Sequence, residues 1–439
     1  MGSKKEKICV LGLGYIGLPT ATLFATNGHK VYGVDNNADV INTLKAGEIH
    51  IEEPGLSTVV KAALSSGNLQ LGTTPAPADV FVVAVPTPSI SVENEKIPKA
   101  DMSFVEKAIE SILPHLKKGN LIILESTSPP GTTRDLVIPL VKKVGFLPVT
   151  DIGVAYCPER VIPGQALKEL IENDRIVGAI DQTWAEKTKA LYKSFVSGNI
   201  FLTDPTVAEM VKLLENTFRD VNIALANEIS VVCQKLGISV WEVIELANRH
   251  PRVNVHRPGP GVGGHCISVD PWFIVEKFPS DAKLVQTARG VNDQMPSKVV
   301  EIIGSLIEGI EKPKLAILGL AYKGDVDDIR ESPAIQIIEQ LKTKHPKLTF
   351  SIYEPHVKSG PYPLSNLKDT FQDADMAILL TPHKEYLSLN PDEIAPLMRR
   401  KMFFDTHNKL KSERWVPYGF EFIVLGTDFS KVPIKGKTS

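Results

Sequence analysis

The chain has 439 residues, 43% hydrophobic and 23% charged, which suits two to three globular domains with sizeable cores. Its formal net charge of -2 gives no field favouring DNA, RNA or an anionic membrane, and the short basic clusters Lys4–Lys7 and Arg399–Lys401 read as solvated surface. No apolar run is long enough for a membrane span, the first residues lack the apolar core of a secretory signal, and Cys9, Cys157, Cys233 and Cys266 are too widely spaced for a metal pattern or a disulfide framework. A cytoplasmic protein with reduced thiols is expected, with loose ends up to Glu6 and from Lys431.

Lys7–Leu11 is mostly apolar and suits a strand ending in a glycine loop. A helical pattern from about Leu18 to Thr26 and a strand at Val31–Val34 complete a βαβ unit. Val80–Val85, Leu121–Leu124 and Ile152–Ala155 suggest further buried parallel strands, separated by helices such as Ser103–Leu116, so a doubly wound α/β sheet is predicted. Val207–Leu236 keeps helical periodicity over about thirty residues without Pro or Gly, and Trp241–Arg249 is a second helical stretch. These read as a central helical domain. Pro251–Pro271 must be a loop, since Pro258–Gly264 alone holds six glycines or prolines, and it is expected where the three parts meet. From roughly Lys312 the alternation returns, with strands near Leu315–Leu318, Thr349–Tyr353 and Met376–Leu380 and a helix near Ala334–Lys342.

Seven motifs carry candidate chemistry. In Gly12-Leu-Gly14-Tyr15-Ile16-Gly17 the glycines allow a tight turn and close approach to a pyrophosphate seated at a helix N-terminus. Asp35 ends the second strand, where a carboxylate accepts hydrogen bonds from a ribose diol and repels a 2′-phosphate, so NAD is favoured over NADP. Thr87, in Val85-Pro-Thr-Pro88, and Thr127, in Glu125–Gly131, follow buried strands, where ligands bind in open α/β sheets. A plain turn and a helix cap are the simpler readings of these two segments. In Cys157–Gly164, Glu159 is a candidate base and Arg160 a candidate anion contact, against a surface ion pair in a turn. Lys212, Asn216 and Arg219 share one helix face by spacing, and could stabilise an oxyanion or form an exposed polar stripe. Pro258–Trp272 brings glycines, Cys266 and Asp270 together, and Cys266 lacks the apolar neighbours of an inert core thiol. Lys323 and Arg330 stand in Leu320–Pro333, at the phosphate-loop position of the second α/β domain, which is otherwise a degenerate structural repeat.

Taken together and in this order, these motifs resemble the UDP-glucose/GDP-mannose dehydrogenase family over nearly the whole chain. The resemblance implies an α/β protein of two Rossmann-like doubly wound domains joined by a central helical domain that forms a homodimer. The boundaries it suggests are 1–200 for NAD, 201–305 for the helical domain with the cysteine loop, and 306–439 for the UDP-sugar. It implies two-step, NAD-dependent oxidation of a nucleotide sugar at C6. Cys266 would attack the aldehyde and hydride loss would leave a thioester. Asp270 would position or activate water, Lys212 and Asn216 would hold the oxyanion, Glu159 would assist hydrolysis, and Thr127 would orient a water or the nicotinamide. Tyr322 and Lys323 look like nucleotide-sugar contacts, and Arg330 like an arginine that reaches the cofactor.

Gly47–Ile51, Cys157–Gly164, Glu169–Arg175, Asn248–Asn254 and Gly263–Trp272 are similar to the subfamily acting on UDP-N-acetyl-D-mannosamine, with Ser268 in place of the more frequent Ala or Pro. In that subfamily Arg160, Val161, Arg219, His250, Arg252 and Gly263 would contact the sugar nucleotide. The product would be UDP-N-acetylmannosaminuronate, a precursor of surface polysaccharide. The alternatives are a UDP-N-acetylglucosamine or UDP-glucose 6-dehydrogenase; neither metal nor nucleic acid is expected.

Overall fold

The computed structural model describes residues 5–51, 53–90, 97–162 and 164–428. The loose ends expected before Lys5 and from Lys431 lie outside those residues. Lys5 and Glu6, expected to be loose as well, are held instead: Lys5 Nζ donates to the Asn27 carbonyl and the Glu6 N–H to His29 Nδ1. The chain divides into two compact units, one of residues up to Glu215 with Trp272–Pro279, the other of Asn216–Pro271 and the chain from Ser280 onward. No helix among the described residues is long and apolar enough to cross a membrane.

The first unit is built on strands β1 (Lys7–Leu11), β2 (Lys30–Val34), β3 (Leu69–Gly72) and β4 (Val80–Val83), a short hairpin β5 (Ser89–Ile90) and β6 (Lys99–Ala100), then β7 (Leu121–Leu124), β8 (Gly153–Tyr156), β9 (Arg175–Ala179) and β10 (Ile200–Thr203). The main sheet has the order β10-β9-β8-β7-β4-β1-β2-β3. Its central strands β4, β7 and β8 are buried at every position because both faces are covered. Ile8 and Val10, with Val80 and Val82, enter one core, while Cys9 and Leu11, with Phe81 and Val83, enter the core on the other side. The parallel sheet predicted from the sequence needs one correction. β8 and β9 pair antiparallel and β10 runs parallel to β9, so the last two strands are reversed relative to the rest.

In the second unit, β11 (Lys314–Leu318), β12 (Thr349–Tyr353), β13 (Met376–Leu379), β14 (Met402–Asp405) and β15 (Glu421–Val424) form a parallel sheet ordered β12-β11-β13-β14-β15. Leu315, Ile317, Met376 and Ile378 face one core, and Ala316, Leu318, Ala377 and Leu379 the other. The helix Lys283–Leu306 contributes Met295, Val299 and Ile303 to the first of these cores. The long helix spans Pro205–Leu236, and the boundary between the units falls within it. The second helical stretch is Val240–Ala247, whose Val240 and Ile244 pack on Ala226 and Cys233.

Candidate active site

The three glycines of the first loop serve three different purposes. Gly12 has φ +87°, and a Cβ there would lie 2.6 Å from the Ala84 carbonyl oxygen at the end of β4. At Gly17 a Cβ would lie 1.8 Å from the Gly12 carbonyl oxygen, so only glycine lets the helix Gly17–Thr26 start so close to β1. Gly14 has no atom within 4 Å of where its Cβ would be, which leaves open space above the backbone at the helix start. That cradle fits a pyrophosphate, between the half-buried Tyr15 and Ile16 and the helix N-terminus. Asp35 accepts from the Leu13 N–H at 3.0 Å and the Asn37 N–H at 2.9 Å, which fixes the carboxylate at the end of β2.

Other candidates of the first unit follow β4, β7 and β8. Thr87 and Thr127 are half-buried. The loop carrying Thr127 is pinned from both sides. Ser126 Oγ donates to the Val85 carbonyl at 2.8 Å. Glu209, on the long helix, accepts from the Gly131 N–H, the Thr133 N–H at 2.8 Å and Thr133 Oγ at 2.6 Å. Glu159 is buried, with one oxygen accepting from the Arg160 N–H at 2.7 Å and the other 2.6 Å from an Arg175 nitrogen. Arg160 is bound within its own unit, to Glu215 at 2.7 Å and to the Asp174 carbonyl, and Val161 packs on the core. Lys212 is buried on the long helix.

The second unit holds Asn216, one turn further along that helix. Its amide donates to Asp270 at 2.6 Å, and both side chains are buried. The Cys266 carbonyl accepts from the N–H groups of Val269 and Asp270, at 3.1 and 2.8 Å, so the cysteine sits one turn before the helix Asp270–Lys277. Of the four cysteines it is the half-exposed one. The others are buried, and burial pushes the Cys9 thiol up to about 11 and that of Cys157 up to about 12. The Lys212, Asn216 and Arg219 stripe therefore divides: the first two are buried and Arg219 is exposed.

The glycine-rich loop is anchored rather than free. The Gly259 N–H donates to Asn227 at 2.9 Å, Asn227 donates to Asn292 at 2.9 Å, and Asn292 donates to Asp220 at 2.8 Å, where Arg289 also binds. A Cβ at Gly263 would lie 2.5 Å from the Glu331 carbonyl oxygen, and one at Gly264 would lie 2.7 Å from the Tyr322 ring. The glycines thus bring the cysteine loop onto the Tyr322–Glu331 loop of the same unit. Arg330 is exposed and forks onto Asp328, at 2.6 to 3.1 Å. Lys323, His250 and Arg252 are exposed.

The second sheet repeats the turn of the first but closes its acceptor. Gly319, like Gly12, has positive φ and donates to the end of the neighbouring strand, 3.0 Å from the Tyr353 carbonyl. Glu354, at the place of Asp35, accepts from the N–H groups of Leu320 and Ala321 and from His383, at 2.7, 3.1 and 3.0 Å, and is buried. Burial opposes its ionisation, yet hydrogen bonds from His383, Leu320 and His356 outweigh it and carry the carboxyl down to about 2. A ribose diol finds no free carboxylate there. Asp325, His356, His383 and Glu385 also lie within reach of one ion, but His383 uses Nε2 on Glu354 and Nδ1 on the Asp325 N–H.

Sequence reasoning missed Glu209 and Arg175. Glu209 stands in the second turn of a long polar-apolar helix and looks like an ordinary surface charge, and Arg175 opens a strand whose direction no local pattern gives.

Models of one family match three parts of the chain. The NAD binding domain of the UDP-glucose/GDP-mannose dehydrogenase family matches residues 6–196, the central domain 206–294 and the UDP binding domain 316–412. A UDP-N-acetyl-D-mannosamine dehydrogenase of Methanococcus maripaludis is 50% identical, over 96% of this chain and 97% of that one. An NDP-N-acetyl-D-galactosaminuronic acid dehydrogenase of Ralstonia nicotianae is 45% identical over 93% and 97%. The structure of a UDP-N-acetyl-mannosamine dehydrogenase from Staphylococcus aureus superposes with a TM-score of 0.86 at 46% identity, covering 96% of this chain and 98% of that one.

Proposed function

Because the chain belongs to the UDP-glucose/GDP-mannose dehydrogenase family, we propose that it oxidises C6 of UDP-N-acetyl-D-mannosamine to the carboxylate, reducing two NAD per sugar. The observation that carries the substrate is the 50% identity, across 96% of the chain, to a relative named for that sugar. The half-exposed Cys266, beside the fixed Asn216–Asp270 pair, supports a covalent route.

NAD supplies the hydride acceptor when bound. Gly12, Gly14, Tyr15, Ile16 and Gly17 would cradle its pyrophosphate, Asp35 would take the ribose diol, and Thr87 and Thr127 would contact the cofactor. Arg330 would be a further cofactor contact. The alcohol first loses hydride and a proton to give an aldehyde, which cannot readily lose a second hydride until a nucleophile adds. The Cys266 thiolate adds to that carbonyl, and hydride loss from the thiohemiacetal leaves a thioester. Lys212 and Asn216 hold the oxyanion. Asp270, oriented by Asn216, positions or activates water, and Glu159 assists the hydrolysis that releases the acid and the thiolate. Arg160, Val161, Arg219, His250, Arg252, Gly263, Tyr322 and Lys323 contact the sugar nucleotide.

In this reading residues 1–200 bind NAD, 201–305 carry the cysteine loop and the dimer contact, and 306–439 bind the UDP-sugar, in a cytoplasmic enzyme. The dimer is inferred from Phe218, Leu225, Val232 and Leu236, which are exposed at helical spacing along the long helix. Sedimentation at equilibrium should give twice the chain mass.

The test of substrate is the initial rate of NADH formation with the UDP-linked N-acetylmannosamine, N-acetylglucosamine, N-acetylgalactosamine and glucose. The manno sugar is expected to lead by at least about tenfold in kcat/KM, roughly 1.4 kcal/mol of transition-state discrimination. A faster rate with any of the others replaces the substrate assignment.

A further inference from the structure

Glu159 rests on a buried cation, Arg175, to which none of the motifs assigned chemistry. β9 runs antiparallel to β8, with Tyr156 opposite Gly178 and Ala155 opposite Ala179. Continuing that register beyond Tyr156 brings Glu159 opposite Arg175, the first residue of β9. A parallel strand in the same place would start at the opposite end of the sheet. The reversal of β9 thus delivers a guanidinium to the end where β7 and β8 leave Glu125 and Glu159.

Around Arg175 the packing is close. One terminal nitrogen is 2.6 Å from Glu159 Oε2, and the other is 3.9 Å from Glu125 Oε1 and 3.7 Å from Cys157 Sγ. The guanidinium carbon lies 4.6 Å from the centre of the Tyr192 ring, whose hydroxyl donates to Glu125 Oε1 at 2.5 Å. Arg175 is 3% exposed and Glu125 likewise 3%. Desolvation pushes the Glu125 carboxyl up to about 7, against the pull of Arg175 and Tyr192.

The cluster is not fully satisfied: Arg175 Nε and Nη2, Glu159 Oε2 and Glu125 Oε2 have no hydrogen-bond partner among the described residues, so Arg175 holds Glu159 as a close ion pair. A buried ionic group of this kind contributes little to stability compared with apolar packing of equal volume. Its geometry is better explained by what it holds. A carboxylate that must take a proton from water needs a fixed place, and a guanidinium wedged among Glu125, Cys157 and Tyr192 supplies a fixed charge where a flexible lysine does not.

We propose that Arg175 is a positioning residue for Glu159, and that Glu125 and Tyr192, packed on the same guanidinium, govern how tightly it holds that carboxylate. The proposal rests on the role in thioester hydrolysis given to Glu159 above. In that step water forms a C–O bond to the acyl carbon, its proton passes to Glu159, and the C–S bond to Cys266 breaks with the electron pair leaving on sulfur. Arg175 touches neither substrate nor water and acts through the carboxylate alone.

Three variants, Glu159→Gln, Arg175→Lys and their double, are followed by stopped-flow NADH formation and by intact mass of the quenched enzyme. Arg175→Lys should keep the initial burst of NADH, with KM for both substrates within threefold. Its steady-state kcat should fall at least about tenfold, with the uronyl adduct accumulating on Cys266. In the Glu159→Gln background the same change should have no further effect on kcat, since one pathway is already lost. A fall in kcat without burst or adduct, or full additivity in the double variant, overturns the proposal. If Glu159→Gln itself accumulates no adduct, the hydrolytic role of Glu159 fails instead, and the two failures are told apart.

Glu125→Gln serves as a second test that leaves Arg175 in place. Ionised Glu125 competes for the guanidinium, so the ratio of hydrolysis rates, variant over wild type, should rise severalfold as pH passes through about 7. A flat ratio overturns the role given to Glu125.

Discussion

Glu209→Ala should cripple the first unit more than any surface change, although the residue looks like an ordinary surface charge. Its carboxylate is fully buried and accepts from two backbone N–H groups, of Gly131 and Thr133, and from the Thr133 hydroxyl. Truncation leaves those donors without a partner, at about 1–3 kcal/mol each. Water entering the vacated space and rotation of the hydroxyl recover part of this, so a net loss of about 3 kcal/mol is expected. For a unit of this size that lowers the melting temperature by roughly 6–12 °C. Glu209→Gln keeps one carbonyl acceptor and should lose about half as much. The loop pinned by Glu209 carries Thr127, so NADH formation should fall in parallel with stability. The assay is thermal unfolding by circular dichroism beside steady-state kinetics. A Glu209→Ala protein melting within 2 °C of wild type would refute the idea that this carboxylate caps the loop.

Gly14→Ala and Gly17→Ala should separate binding from folding. A methyl at Gly14 meets nothing within 4 Å, so the apo protein should melt as wild type while NAD affinity falls at least about tenfold; at Gly17 the clash with the Gly12 carbonyl should lower both. Titration calorimetry with NAD beside apo melting curves checks the pair. Glu354 has a depressed carboxyl, so its contribution to the second unit is fully present above the ordinary carboxyl range and is lost as pH falls from 4.5 toward about 2. His383→Ala should move acid unfolding to higher pH, and unchanged acid unfolding would contradict the pairing. Glu125 has a raised carboxyl, so its neutral form favours folding below 4.5, and that contribution is lost as pH rises through about 7. Glu125→Gln should therefore unfold later than wild type in denaturant at pH 8.5, and by progressively less as the pH is lowered toward 4.5.

The parts of the fold that could be read in the sequence are those where local pattern and burial agree. β4 and β7 are uniformly apolar, and β1 is so after Lys7, because both faces are covered, and each was found within a residue or two. β9 was missed, and its direction is set by its pairing partners rather than by its own residues. The helix Lys283–Leu306 carries Pro296 in its interior, and its buried face rests on Met295, Val299 and Ile303 against the second sheet. Among the site residues, spacing placed Lys212, Asn216 and Arg219 on one face, but that face is not covered evenly along its length, and Arg219 is exposed where the other two are buried. Gly263 and Gly264 announced a close approach, and the sequence could not say that Tyr322 and Glu331 make it. Cys266 was legible because its neighbours are not those of a core thiol.

The central claim is a four-electron oxidation through Cys266, and the stoichiometry of NADH tests it most directly. With a limiting, weighed amount of UDP-N-acetyl-D-mannosamine and excess NAD, the account predicts two NADH per sugar and a carboxylate product by mass spectrometry. Cys266→Ala should lose net acid formation. One NADH per sugar with release of the aldehyde, or acid formation undiminished in Cys266→Ala, would contradict it.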